Sequence, residues 1–147
     1  MYSQYLVDDE TGIAEIVKGA RRVAVLGAKA DDEASDMAHV VPGWLKRHGV
    51  EILPVPAGTD APEELFGVPV YRTLADVPGP VDIVDVFRPP KELERHVEAL
   101  KALRPRCVWM QLGIRNDRAA EALARAGIRV VQDRCLMAEF RKHALGK

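Results

Sequence analysis

Seven residues, Arg22-Val23-Ala24-Val25-Leu26-Gly27-Ala28, constrain the fold more than any other stretch of the chain. A run of β-branched and aliphatic residues that stops at a glycine reads as a strand buried on both faces, and such strands belong to parallel sheets covered by helices. A helix beginning beyond that turn would aim unpaired N–H groups and a partial positive charge at an anion. The further glycines of the dinucleotide fingerprint do not follow Gly27, so the string alone also fits an ordinary strand-to-loop turn.

The remainder of the chain repeats the pattern. A lead-in over 1–12, flexible ahead of the domain, passes into a short helix over Ile13–Val17 with Thr11 as its cap. A helical pattern through Val40, Val41, Trp44 and Leu45 ends at Gly49, with Pro42 either in its first turn or kinking it. Glu51–Pro56 reads as a strand whose prolines place it near an edge. Val68–Tyr71 is a short strand candidate, and Thr73 precedes a brief helix over Leu74–Val77. Val81–Phe87 is a third major strand, and Glu92–Leu103 carries Leu93, Val97, Leu100 and Leu103 at helical spacing. Arg106–Leu112 and Ile128–Val131 are the last strands, with helices over Asp117–Ala126 and Leu136–Ala144. Strands alternating with helices of this length predict an α/β fold, a doubly wound, mainly parallel sheet with helices on both faces. In such sheets ligands sit beyond the carboxyl ends of the strands, where strand order reverses. The loops after Leu26, Val55, Val86, Gln111 and Gln132 are therefore expected to converge.

A chain of 147 residues suits one domain, 1–147. Its 21 basic and 22 acidic residues nearly cancel, which argues against a broad surface for nucleic acid or anionic lipid. No stretch has the length of a membrane span and the first ten residues lack the pattern of a signal peptide, so a cytoplasmic location is expected. Cys107 and Cys135 make neither a disulfide framework nor a metal site and read as structural thiols.

Five loops carry the site: Gly27-Ala28-Lys29, Pro54 to Gly58, Asp85-Val86-Phe87-Arg88-Pro89-Pro90, Gln111 to Arg115, and Asp133-Arg134-Cys135-Leu136. In this order and spacing the set resembles the small stand-alone CoA-binding proteins related to the CoA-binding domain of the succinyl-CoA synthetase α subunit. The likeness spans roughly residues 13–143, nearly the whole of a chain of single-domain size. The resemblance implies a Rossmann-like domain binding coenzyme A or an acyl-CoA, with the diphosphate near Gly27 and the adenine end near the loop after the second strand. Gly27 and Ala28 would admit close backbone approach, and Lys29 would offer a point charge. Ser35 and His39 would add hydrogen-bond donors. Val55 and Pro56 would form an apolar ledge, while Val86, Phe87 and Arg88 would flank the middle of the ligand, with Arg88 the better phosphate contact. Gln111, Gly113 and Arg134 complete the expected set. Asp31, Asp32, Glu33 and Asp36 place four carboxylates beside it, read as a solvated loop.

No catalytic constellation accompanies this pocket. His48 and His96 read as helix-surface positions, His143 as part of a basic tail, and His39 lacks a partner for general-base work. Asp82 and Asp85, an odd number of residues apart on one strand, face opposite sides of the sheet, with Asp85 capping or orienting a loop. Trp109 and Met110 read as core. The phosphohistidine segment of the synthetase family has no counterpart in this chain. The expectation is a non-catalytic module, a carrier, sensor or regulator in acyl-CoA metabolism, whose partner is a small nucleotide ligand, with no nucleic acid and no membrane. The alternatives are an NAD(P)-binding oxidoreductase-like domain and an interaction domain whose pocket has decayed.

Overall fold

The computed structural model describes residues 1–30, 36–58 and 61–145. Five parallel strands form the main sheet: β1 (Arg22–Ala28), β2 (Glu51–Pro56), β5 (Ile83–Val86), β6 (Cys107–Met110) and β7 (Arg129–Val131). Their order is β2-β1-β5-β6-β7. Two two-residue strands, β3 (Glu64–Leu65) and β4 (Val68–Pro69), pair as a separate antiparallel hairpin where the sequence pattern suggested a single strand over Val68–Tyr71. The chain thus leaves β1 toward one edge, then crosses back to β5 on the other side. Strand order reverses between β1 and β5, which opens a crevice at their carboxyl ends.

Side-chain alternation along each strand feeds two apolar layers. Ala24, Leu26, Leu53, Val55, Val84, Val86, Val108 and Met110 enter one layer, closed by α3 (Val97–Leu103) and α4 (Asp117–Arg125). Val23, Val25, Ile52, Ile83, Cys107, Trp109 and Val131 enter the other, closed by α1 (Glu10–Lys18), α2 (Met37–Arg47) and α5 (Leu136–His143). The sheet is therefore doubly wound, Rossmann-like, with helices on both faces. Trp109 and Met110 are fully buried, and Trp109 Nε1 donates to the Arg134 carbonyl at 2.8 Å.

Local chemistry moves several boundaries. Asp9, not Thr11, caps α1, its carboxylate accepting from the Gly12 N–H at 3.1 Å. Asp36 caps α2 through the Ala38 N–H at 2.9 Å. Pro42 sits inside α2 rather than in its first turn and leaves the Ala38 carbonyl without its helical donor. The Lys29 N–H fills that place at 3.3 Å, tying the end of β1 to the helix. The segment Pro90–His96, expected as the start of a helix reaching Leu103, is a 3-10 turn that hands over to α3. Its first carbonyl, that of Pro90, is taken by Asn116 Nδ2 at 2.8 Å.

Of the lead-in, Tyr2–Tyr5 forms a 3-10 turn and Leu6 makes a parallel bridge to Val130, with the Val7 N–H donating to the Val130 carbonyl at 2.9 Å. His143, expected in a basic tail, instead lies half-buried between helices, 3.2 Å from Glu10 and 3.4 Å from Glu139. Arg134 and Lys142 neutralise the same carboxylates, Arg134 at 3.7 Å from Glu10 and 3.5 Å from Glu139, Lys142 at 2.7 Å from Glu10.

Candidate functional site

The first strand delivers its glycine into a place only glycine fits. Gly27 has φ +95°, and a β-carbon there would lie 2.7 Å from the Phe87 carbonyl oxygen and 3.0 Å from Arg88 Cδ. The backbones leaving β1 and β5 are thereby pressed together at the point of reversal, and the Phe87 N–H donates to the Leu26 carbonyl at 2.8 Å. Beyond Val86, successive residues part: Phe87 packs into the layer beneath α2, while Arg88 turns to the opposite face.

Arg88 enters a cavity of about 320 Å³. The floor is apolar and comes from strand ends, Leu26 of β1 and Val55 with Pro56 of β2. Leu74, from a 3-10 turn over Leu74–Asp76, closes one side, and Ala99 of α3 another. The walls are charged: Arg72, Arg88, Arg95, Glu92 and His96. Three guanidiniums against one carboxylate leave the cavity net positive, though the whole chain has a formal charge of only -1. Arg88 Nη2 donates to Glu92 Oε1 at 2.6 Å, one turn ahead, and Arg95 Nη1 lies 3.7 Å from the same oxygen. The hydrogen bond from Arg88 holds the Glu92 carboxyl below the usual carboxylate range. Arg72 is exposed at the rim, its guanidinium donating to the Ala61 carbonyl at 3.1 Å.

His96 corrects the surface reading. It is half-buried in the cavity wall, and its Nε2 is covered without a hydrogen-bond partner among the described residues. Burial, followed by the guanidiniums of Arg88 and Arg95, pushes its imidazole below the ordinary histidine value, with Glu92 opposing. His96 closes the 3-10 turn over Pro90–His96, three residues after fully buried Leu93, so the two lie on the same side of the turn. Arg72, Glu92, Arg95 and His96 were the wall residues that periodicity did not single out. The spacing of Glu92 and Arg95 from Arg88, each within a turn of the next, is the signal that could have found two of them.

The remaining expected residues fall outside this cavity wall. Lys29 forms an ion pair with Asp36 at 3.5 Å. His39 Nδ1 lies 3.0 Å from the Lys29 carbonyl, and its ring stacks on Phe66 of the β3–β4 hairpin with centroids 5.2 Å apart. Ala28 and Val86 are buried. The loops after β6 and β7 meet each other: the Leu136 N–H donates to Gln111 Oε1 at 3.0 Å and the Gly113 N–H to Asp133 Oδ1 at 2.6 Å. Arg134 turns toward Asp8 at 3.2 Å, within the Glu10–Glu139 cluster. The expected residues thus form two groups, Gly27, Val55, Pro56 and Arg88 around the crevice, and Gln111, Gly113 and Arg134 across the β6 and β7 ends. Ser35, with Asp31, Asp32 and Glu33, lies outside the described residues. Asp36 belongs to the α2 cap rather than to a solvated loop.

Asp85 neither caps nor orients a loop. It is fully buried in the middle of the sheet, registered between Val25 and Trp109, and neither carboxylate oxygen has a partner among the described residues. Burial pushes its pKa well above the ordinary carboxylate value. Asp82 at the other end of the strand is structural, one oxygen accepting from the N–H groups of Arg21 and Arg22 at 2.8 and 2.9 Å.

A doubly wound parallel sheet with a crevice at its reversal point places the chain in the class of small Rossmann-like α/β domains. Residues 21–141 match the CoA binding domain family, and the chain belongs to it. YneT of Bacillus subtilis is 32% identical over 124 residues, covering 84% of this chain and 88% of that protein. A Thermus thermophilus protein of solved structure is similar at 43% identity with a TM-score of 0.85, over 92% of this chain and 99% of that one. A Pyrococcus horikoshii OT3 structure has 29% identity and a TM-score of 0.83, over 95% of this chain and 94% of that one.

Proposed function

We propose that this chain is a non-catalytic module that binds coenzyme A or an acyl-CoA at the carboxyl ends of its parallel strands. The carrying observation is the cavity at the β1, β2 and β5 ends, whose apolar floor and three arginines suit a ligand that is part purine and part phosphate. Membership of the CoA binding domain family supports the same ligand class. The close approach at Gly27 would let backbone contact the diphosphate, with Ala28, Lys29 and the α2 N-terminus beside it, and Ser35 and His39 as further donors. Val55, Pro56 and Ala57 would form a ledge for the adenine, Val86 and Phe87 would flank the ligand's middle, and Arg88 would contact phosphate. Gln111, Gly113 and Arg134 would line its far end. A carrier, sensor or regulator role in acyl-CoA metabolism, in the cytoplasm, is part of this reading. No helix among the described residues is long and apolar enough to cross a membrane.

Titration calorimetry of the purified chain with CoA, acetyl-CoA and NAD tests the reading. Saturable binding of CoA or its acetyl ester at micromolar concentration is the expected result. Binding of NAD in preference to both, or heat from none of the three, would overturn it.

A further inference from the structure

His96 presents an anomaly that the reading of a CoA module does not by itself resolve. Among the described residues its Nε2 is shut away from solvent with no partner, in the wall of a cavity holding the guanidiniums of Arg72, Arg88 and Arg95 and a single carboxylate, Glu92. The other elements packed there, β1, β2, the Leu74–Asp76 turn and α3, contribute Leu26, Val55, Leu74 and Ala99, which carry no charge. An unpartnered imidazole nitrogen beside three cations is an arrangement completed by an anion with several acceptor oxygens, to which the protonated ring would donate.

A cavity of about 320 Å³ accommodates one end of a molecule as long as coenzyme A and not the whole of it. Three cations select a phosphorylated end over the amide-rich pantetheine arm. A phosphate monoester, with three free oxygens and up to two charges, matches this wall better than a diphosphate diester oxygen pair does.

Building on the proposed CoA site, we propose that the Arg88–Glu92–Arg95–His96 wall is the subsite for the ligand's terminal phosphate monoester, and that His96 binds it as an imidazolium, so that loading the cavity takes up a proton from solvent. The physical logic has a definite sign. Burial and the guanidiniums of Arg88 and Arg95, with Glu92 opposing, lower the imidazole's pKa and so favour its neutral form before an anion arrives. An arriving dianion reverses the local field, favours the charged ring and gives Nε2–H its acceptor. Affinity for the monoester therefore rises as pH falls through the histidine range, whereas a ligand lacking that phosphate gains nothing from His96.

The test compares CoA with dephospho-CoA, which differ only in that phosphate, by calorimetry in buffers of different ionisation enthalpy. Wild type is expected to bind CoA about tenfold more tightly than dephospho-CoA near pH 6, the equivalent of one charge-assisted hydrogen bond. The preference should shrink at pH 8. His96→Gln should abolish the proton uptake due to the ring, leaving only the proton release expected of a phosphate monoester entering a cationic wall. As an independent readout without a variant, CoA should raise the midpoint of the His96 imidazole titration, followed by NMR, by about one pH unit. Equal affinities for CoA and dephospho-CoA, or a His96 titration unmoved by CoA, would overturn the subsite while leaving the CoA module standing. Failure of both nucleotides to bind would remove the module and the subsite together.

Discussion

The α-carbon of Gly27 faces the carbonyl oxygen of Phe87 so closely that a β-carbon on it would stand 2.7 Å away. This contact locks the first glycine turn against the exit of β5 and fixes Arg88, whose Cδ lies on the same side. Gly27→Ala is accordingly expected to destabilise the fold by about 1–3 kcal/mol, since it combines a positive φ with a backbone clash. Denaturant unfolding checks the loss, and CoA titration of the surviving folded fraction should show weaker binding as Arg88 is pushed from the cavity.

Glu92 has the opposite role to the arginines around it. Among the described residues it is the sole carboxylate in the cavity wall, and it already occupies Arg88 at 2.6 Å. Glu92→Gln should release that guanidinium and strengthen CoA binding by about two- to fivefold at low ionic strength, the gain fading as salt is added. Arg88→Ala should weaken binding by about tenfold. Calorimetry at two salt concentrations decides both, and a weaker complex in Glu92→Gln would show that the carboxylate contacts ligand directly.

Asp85 makes stability depend on pH in an unusual direction. Its folded-state pKa is raised above the ordinary 3.8, so the folded protein holds a proton that the unfolded chain has lost. The contribution is complete below pH 3.8 and declines as pH rises from there toward the folded-state value. Asp85→Asn, which cannot ionise, should remove this slope from chemical denaturation measured at a series of pH values. Asp85→Val, of similar size and suited to a strand, should add about 1–3 kcal/mol at pH 7 by ending the burial of an unpartnered polar group. An unchanged slope in Asp85→Asn would mean that the carboxyl finds a partner in solution.

The two thiols should separate by reactivity. Burial pushes the Cys107 thiol up to about 12, so it carries almost no thiolate at neutral pH, while Cys135 is partly accessible at the cap of α5. Mass spectrometry after iodoacetamide treatment of the native protein is expected to find Cys135 modified and Cys107 intact. Modification of both at equal rates would show that the layer beneath α1 opens readily.

The alternation of strands and helices was legible because each element is specified by its own residues. The run Arg22–Ala28, the prolines of β2 and the stripe Leu93, Val97 and Leu100 all lie where local periodicity puts them. What local pattern could not show was set by contacts between distant segments. Asn116 captures the Pro90 carbonyl, and the helix expected from Glu92 begins as a 3-10 turn. In that turn, at about 3 residues per turn, His96 lies on the same side as buried Leu93. Pro42 was ambiguous in sequence for the same reason, because its compensation comes from the Lys29 N–H thirteen positions earlier. Arg88, Val55 and Pro56, at strand ends, were cavity residues that sequence could name. Glu92 and Arg95 follow from their spacing after Arg88, whereas His96 read as a helix-surface position.

The two outer strands of the sheet are defended by different means. β7 carries the Leu6 bridge and the Val7 hydrogen bond along its outer side, while β2 has Pro54 and Pro56, which have no N–H to offer, and its Pro54 carbonyl is occupied by the Tyr71 N–H at 2.9 Å. Neither border presents a free ladder for another copy to extend, so the molecule resists fibre-like growth through its backbone. Any stable association must be made by side chains on the helical faces, leaving the crevice side of the sheet available to its ligand.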